Sequence, residues 1–294
     1  MVCKADGILD QPPRPSRVLG ASIMTYRDVL VHVSRAETPA LAAAIDFARR
    51  QDARLIGLGI CPPVWTGVGL DALPASAIEA IERANEQDLA EAKGRFDRAA
   101  ERHGYTGRCE WRSSRGDMVT VTAVHGRYAD VIVVDQSDPH WESPSFGFAP
   151  ELALTGGRPV LIIPRTGVTA VPCEHVVVAW NASREAARAV ADAMPLLRRA
   201  RRVDVLAVAS PRVDQVPGID IARHLASHDV HANVVVRESP DPDVPTEILN
   251  FIAEHGADLL VMGCYGHARL QEVIFGGVTR SILRTMTVPV LMSH

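Results

Sequence analysis

A glycine-rich segment near the end of the chain contains the residues best suited to bind a charged ligand. Its glycines and the residues after them, in the spacing Gly-x2-Gly-x9-Gly, are Gly263, Gly266, Gly276, Gly277, Val278 and Thr279. Glycines let backbone N–H groups approach an anion closely, and the start of a following helix adds the positive end of its dipole. The segment therefore predicts a loop that holds the phosphates of a nucleotide. It is neither a Walker A loop, which needs Gly-Lys-Ser/Thr, nor a Gly-x-Gly-x-x-Gly dinucleotide loop.

The segments on either side of these glycines place them in a parallel sheet. The apolar run 258–262 before them is typical of a buried strand, and residues 280–286 after them have helical spacing. Parallel α/β sheets bind ligands beyond the carboxyl ends of their strands. The position of the glycines thus agrees with their chemistry.

The chain is an internal repeat in which strands alternate with helical segments. The four strand pairs predicted at equivalent places are 26–33 and 174–181, 53–60 and 203–209, 108–113 and 231–238, and 130–134 and 258–262. Each half closes on Pro-Val-Leu, at Pro159 and Pro289. Alanine-rich helices are predicted over 38–50 and 183–200, with Thr38 and Ser183 as N-caps. A long helical pattern at about 73–103 in the first half has only a short counterpart near 219–228.

Composition excludes several classes of protein. The 294 residues carry a net charge of −4, which argues against a nucleic-acid partner, and no apolar run is long enough to cross a membrane. The five cysteines form no Cys-x-x-Cys pair, so a reducing cytoplasm is the expected setting. Residues 1–24 contain three prolines and are predicted to be a disordered N-terminal segment, with Met24 as a candidate true start.

The repeat, the glycine loop and the closing Pro-Val-Leu together resemble the universal stress protein family in its tandem form. The resemblance covers about residues 25–294 and is most specific in the second half. It implies two doubly wound five-stranded parallel-sheet domains of the adenine-nucleotide alpha-hydrolase-like class, at 25–167 and 172–294. It also implies that the last strands of the two halves pair within one chain as a pseudo-dimer, which leaves a homodimer open.

The same resemblance implies a ligand and the residues that hold it. Many family members bind ATP, so ATP, with or without magnesium, is the expected cofactor. The glycines together with Val278 and Thr279 would surround the ribose and phosphates. Val208 and Met262 would line the adenine slot, and Asn181 would stand near the base and metal.

Two replacements in the second half depart from the family pattern. Gly277 stands where nucleotide-binding members usually carry serine or threonine, and Asn181 stands where they usually carry aspartate. Loss of one hydrogen bond to a charged phosphate costs about 1.5–3 kcal/mol, or about 10- to 100-fold in affinity. The loop is therefore expected to be weakened rather than abolished.

The first half departs further from the pattern. After its fourth strand it has Asp135, Asp138 and Pro139 in place of a glycine pair. The carboxylates would repel phosphates, and proline removes an amide donor. No standard nucleotide site is expected there.

Other chemically capable residues have simpler interpretations. The histidines 224, 228 and 231 could form a metal cluster, but a polar helix face is favoured because no carboxylate or cysteine completes the set. Cys264 could be a reactive thiol, although a small loop residue is the preferred interpretation. Trp180 is expected to pack in the core or at the rim of the adenine slot, and His267 and Arg269 to be solvated. No catalytic residue and no metal ligand is predicted.

Three functions are therefore compared. The first is a cytoplasmic stress-response sensor or adaptor that binds an adenine nucleotide in its second half and acts on an unidentified protein partner. The second is an interaction module that has lost nucleotide binding, motivated by Gly277 and Asn181. The third is a slow ATPase, ranked last because the loop lacks a general base and a phosphate-clamping lysine.

Overall fold

The computed structural model describes residues 25–34, 36–62, 74–136, 147–209, 218–238, 243–265 and 277–294. The N-terminal segment 1–24, including the candidate start at Met24, lies outside the described residues.

The described residues of the first half form five strands and four α-helices. In chain order they are β1 Asp28–His32, α1 Pro39–Gln51, β2 Arg54–Cys61, α2 Ala75–Arg102, β3 Cys109–Arg115, α3 Met118–Gly126, β4 Val131–Asp135, α4 Phe148–Thr155 and β5 Val160–Ile163. The second half repeats this order. Its elements are β6 His175–Ala179, α5 Arg184–Leu197, β7 Arg202–Ala209, α6 Gly218–Ala226, β8 Ala232–Glu238, α7 Val244–His255, β9 Leu259–Gly263, α8 Gly277–Thr285 and β10 Val290–Ser293.

All ten strands form one sheet. Their order is β3-β2-β1-β4-β5-β10-β9-β6-β7-β8, and every neighbouring pair is parallel except β5 and β10, which are antiparallel. Each half is thus a doubly wound five-stranded parallel sheet, as the sequence predicts, and the last strands of the two halves pair within the chain. Because this pairing is antiparallel, the carboxyl ends of the two sets of strands lie at opposite edges of the sheet.

Helices cover both faces of the sheet. Alternate strand residues enter two clusters, so Val29 and Val31 pack with α1 and α2 on one face, whereas Leu30 packs on the other face with α3 and α4. In the second half, α5 and α6 cover the first face, and α7 and α8 cover the second. Burial on both faces explains the nearly continuous apolar runs that made the strands recognisable.

Side-chain hydrogen bonds also join the two halves. The Tyr26 hydroxyl donates to the carbonyl of Asp192 at 2.6 Å, and the Gln136 side-chain amide donates to the carbonyl of Leu283, near the end of α8, at 2.6 Å. The predicted division at residues 167–172 falls between β5 and β6.

The two first helices begin differently. The Ser183 hydroxyl accepts from the backbone N–H of Ala186 at 3.1 Å, as predicted for an N-cap. Thr38 stands at the equivalent position of α1, but its hydroxyl makes no capping bond. The Asp135 carboxylate accepts from the backbone N–H of Ala40 at 3.1 Å instead. A side chain from a neighbouring strand has thus taken the role that the sequence assigns to Thr38.

The arginines after α5 make specific contacts. The helix ends at Leu197, three residues earlier than predicted. Arg198 donates to the carbonyl of His228, Arg199 donates to that of Arg50, and Arg202 pairs with Asp204 at 2.9 Å. All three arginines therefore make contacts within the protein.

Asp204 makes stability depend on pH. It is fully buried and accepts hydrogen bonds from Asn233 at 3.0 Å, His175 at 2.7 Å and Arg202 at 2.9 Å. Burial alone would raise the pKa of Asp204, but these three bonds outweigh it and hold the pKa below its usual value. A depressed pKa stabilises the folded state above the unfolded value of about 3.9, and this contribution is lost as pH falls through the folded value.

We therefore expect the Asp204→Asn variant to show a shallower loss of stability in acid than the parent. Urea denaturation at several pH values between about 3 and 7 measures this. A parent and variant with parallel pH profiles would contradict the role of Asp204.

Candidate functional site

The candidate site lies at the carboxyl edge of the second half, where β6, β7 and β9 end. β6 and β9 are neighbours, and Ala179 is paired with Met262 across them. The chain leaves β6 directly into α5 and returns from α8 to β10. The first turns of α5 and α8 therefore lie at this same edge and direct backbone N–H groups toward it.

The turn before α5 contains Asn181. Its side-chain oxygen accepts from the backbone N–H of Ser183 at 3.1 Å, and Ala182 between them has a left-handed φ of 56°. Asn181 is exposed, at the end of β6 where the resemblance places it. Its side-chain oxygen serves the turn itself.

Glycine is required at position 263 because the first turn of α5 packs closely against it, whether or not a ligand binds there. A Cβ at this position would lie 2.5 Å from the backbone nitrogen of Ala186 and 2.5 Å from the carbonyl carbon of Glu185. The first turn of α5 thus rests directly on the end of β9. Only glycine permits this approach, so the first glycine of the motif has a structural reason that sequence alone does not reveal.

The predicted adenine-slot residues share one face of the sheet. Met262 belongs to the cluster under α7 and α8, and Val208 and Val278 pack against the same cluster. Met262 is only 4 % exposed, whereas Val208 and Val278 are half-buried. Trp180 packs against the cluster on the opposite face, as expected for a core residue, and its indole nitrogen is buried without an acceptor in the described part of the chain.

The start of α8 provides the remaining described residues of the loop. Gly277 is exposed, and a Cβ there would meet nothing within 4 Å. Thr279 is buried, with 4 % of its surface exposed. Gly266 and Gly276, together with His267 and Arg269, lie outside the described residues.

Glu185 is a charged group at this edge that sequence reasoning missed. It is 3 % exposed, pairs with Arg184 at 2.8 Å and lies against Gly263. Burial pushes its pKa upward, but hydrogen bonds from its own backbone N–H and from Arg184 outweigh this, so the pKa lies below the usual value and the group is ionised at neutral pH. An acid in the first turn after a serine N-cap was the available signal, because such positions favour negative charge.

Cys264 is a neutral thiol rather than a nucleophile. It is fully buried, and burial followed by the Glu185 charge raises its pKa to about 12. The imidazole Nδ1 of His294 lies 2.9 Å from its carbonyl oxygen, not from its sulfur. The small-residue interpretation therefore fits the structure.

We expect iodoacetamide at pH 8 to leave Cys264 unmodified in the native protein, since the thiol is fully buried and its raised pKa keeps it protonated at that pH. Peptide mass mapping measures the modification, and the same reaction after denaturation provides the control. Rapid modification of the native Cys264 would contradict the assignment.

The matching edge of the first half has a different chemistry. Asp135 ends β4 as Gly263 ends β9, and its carboxylate occupies the start of α1. Burial raises the pKa of Asp135, opposed by hydrogen bonds from Thr38 and from the N–H of Ala40. A carboxylate thus occupies a backbone amide at the start of α1. Asp138 and Pro139 lie outside the described residues.

Metal ligands do not gather in the described parts of the chain. No group of three or more histidine, cysteine, aspartate or glutamate side chains there could hold a metal ion. The His224 and His228 rings meet edge to face with centroids 4.9 Å apart, and α6 ends at Ala226, so His228 lies beyond the helix. None of the helices in the described segments combines the length and apolarity needed to cross a bilayer.

Comparisons with known proteins agree with this geometry. No curated protein matches the chain. A universal stress protein from Archaeoglobus fulgidus DSM 4304 has the same fold, with a TM-score of 0.70 and 16% identity over 92% of this chain and 97% of its own. A protein of unknown function from Pseudomonas aeruginosa PAO1 matches with a TM-score of 0.54 and 16% identity over 93% of this chain and 94% of its own.

A further Pseudomonas aeruginosa protein, from strain UCBPP-PA14 and assigned to the universal stress proteins, has a TM-score of 0.57 and 17% identity. Its alignment covers 92% of this chain and 94% of its own. At these identities the likeness establishes the fold. In sequence, residues 172–294 match the model of the Universal stress protein family. The second half thus matches the universal stress protein family in sequence, and the first half repeats its fold.

Proposed function

We propose that the second half binds an adenine nucleotide, ATP in the first instance, and that the chain is a cytoplasmic stress-response sensor or adaptor rather than an enzyme. The observation that carries the proposal is the close packing of Gly263 on the first turn of α5, with the start of α8 at the same carboxyl edge. Backbone N–H groups at helix starts and a glycine-bearing strand end together suit an anionic ligand. The base would lie near Val208 and Met262, and the phosphates near Gly277, Val278 and Thr279.

Isothermal titration calorimetry with ATP and ADP tests this proposal. The titration is run with and without magnesium. Asn181 stands where an aspartate would be expected near a metal, and Glu185 is a carboxylate at the same edge, so the comparison measures whether a cation contributes to binding. Binding of one nucleotide per chain is expected. A folded protein that gives no heat with either nucleotide would refute the ligand.

An interaction module without nucleotide is the second candidate. Three observations favour it: Gly277 offers no hydroxyl, Asn181 already serves the α5 turn, and Glu185 places a negative charge beside Gly263. Each would weaken phosphate binding. ATP binding by the Gly277→Ser variant distinguishes this candidate from the first. Strong binding by the variant but not by the parent would favour it, and equal binding by both would refute it.

A slow ATPase is the third candidate and has the least support. Hydrolysis needs a group that activates or orients water near the phosphates. Glu185 is engaged by Arg184 and by its own backbone N–H, so the described residues offer no evident base. Release of phosphate from ATP above a buffer blank would revive this candidate.

A further inference from the structure

The long helix α2 borders a groove in the first half. The groove has a volume of about 560 Å³ and its described lining consists of Glu37, Gln87, Ala90, Glu91, Gly94, Arg95 and Arg98. α2 has 28 residues, whereas its counterpart α6 has nine. The groove is therefore lined by residues of a helix much longer than its described counterpart.

Arg95 connects this groove to the carboxyl edge of the first half. Its Nη2 donates to the carbonyl of Ser34, just beyond the end of β1, at 2.7 Å. Its Nε is buried and has no acceptor in the described structure. The acceptor of Arg95 is thus a neutral carbonyl, and within the described residues no carboxylate balances its charge. Buried donors without acceptors are rare in folded proteins.

Arg98 adds a second cation on the same side of the helix. Its Nη1 lies 3.0 Å from the place that a Cβ on Gly94 would occupy. The guanidinium is therefore folded back over Gly94, toward the turn that carries Arg95. Arg98 forms no ion pair with any of the described residues.

The two acids that line the groove have other partners. Glu91 accepts from the Gln87 side-chain amide at 3.0 Å, and Glu37 faces Arg102 at 3.7 Å. The groove therefore contains two guanidinium groups that no described carboxylate pairs with.

We propose that this groove binds a small ligand through a phosphoryl group held by Arg95 and Arg98. A phosphate monoester carries close to two negative charges at neutral pH, which matches two unpaired arginines. Guanidinium groups bind such oxygens through charge-assisted hydrogen bonds, and the buried Nε of Arg95 gains the acceptor that it lacks. This site is separate from the glycine loop, which lies at the opposite edge of the sheet.

Titration of the full chain with inorganic phosphate at low ionic strength tests the proposal. The parent is expected to bind, and Arg98→Ala to weaken binding by about tenfold or more, as loss of one charge-assisted bond requires. Arg83→Ala is the matched control, because Arg83 lies on the exposed side of α2 and donates only to the carbonyl of Glu79. The control is expected to bind like the parent.

Arg98 is the primary variant because it is exposed, whereas Arg95 also ties α2 to β1. Unchanged circular dichroism and melting temperature would show that Arg98→Ala is folded. No heat with millimolar phosphate, or equal binding by the parent and Arg98→Ala, would overturn the proposal. Acetate that binds as well as phosphate would overturn the assignment to a phosphoryl group.

Discussion

Replacing Gly277 by serine is expected to raise the affinity for ATP by about 10- to 100-fold. Gly277 is the first residue of α8, and a Cβ there meets open space, so the new side chain requires no rearrangement. Its hydroxyl would supply the hydrogen bond to a phosphate that Gly277 cannot make. Calorimetric titration of parent and variant with ATP measures the gain.

Gly277→Ala is the matched control for this experiment. It adds the same carbon without the hydroxyl, so its affinity should remain that of the parent. Equal affinities in the serine and alanine variants would show that a hydroxyl at this position does not reach a phosphate. Strong binding by Gly277→Ser alone would identify Gly277 as the change that weakened the site.

Gly263→Ala is expected to destabilise the fold by about 1–3 kcal/mol. The added carbon would lie 2.5 Å from two backbone atoms of α5, and backbone cannot move aside as the end of a flexible side chain can. Displacing the first turn of α5 should also disturb Asn181 and the Ser183 cap. Nucleotide affinity is therefore expected to fall together with stability.

Urea denaturation of Gly263→Ala beside Gly277→Ala separates packing from the general effect of losing a glycine. Both variants add one methyl group, at the end of β9 and at the start of α8, but only the first meets backbone. Similar stabilities in the two variants would contradict the close packing of α5 on β9.

The strands were predictable because their burial on both faces leaves continuous apolar runs. For example, Val29, Leu30 and Val31 are consecutive in β1 and all three are fully buried. The starts of α1 and α5 were both predicted at the observed positions, but the capping group was predicted correctly only where it is local. Ser183 caps its own helix, but α1 is capped by Asp135, which is distant in sequence, and no local pattern contains that contact.

In the candidate site, too, the features set by local sequence were predictable and those set by tertiary contacts were not. Gly263 was found from its spacing, yet the reason for glycine there depends on where α5 begins to pack, which is a tertiary fact. Glu185 was missed because its burial follows from that same packing. The groove beside Arg95 depends on how a long helix crosses the end of β1, so the helical pattern at 73–103 predicted the helix and not the groove.

The two halves therefore use equivalent edges differently. In the second half, the start of α5 packs directly against Gly263 at the end of β9. In the first half, Asp135 stands at the end of β4, where its carboxylate accepts from the start of α1. Arg95 of α2 donates to the carbonyl of Ser34 at the same edge. The expectation of one nucleotide site per chain rests on this contrast.

Mass spectrometry of small molecules released by denaturing the purified native chain tests that expectation most directly. An adenine nucleotide is expected at about one per chain, with a titration of added ATP that saturates at the same ratio. Two per chain would contradict the closure of the first half by Asp135. No released nucleotide and no binding of added ATP would contradict the site in the second half and favour the interaction module.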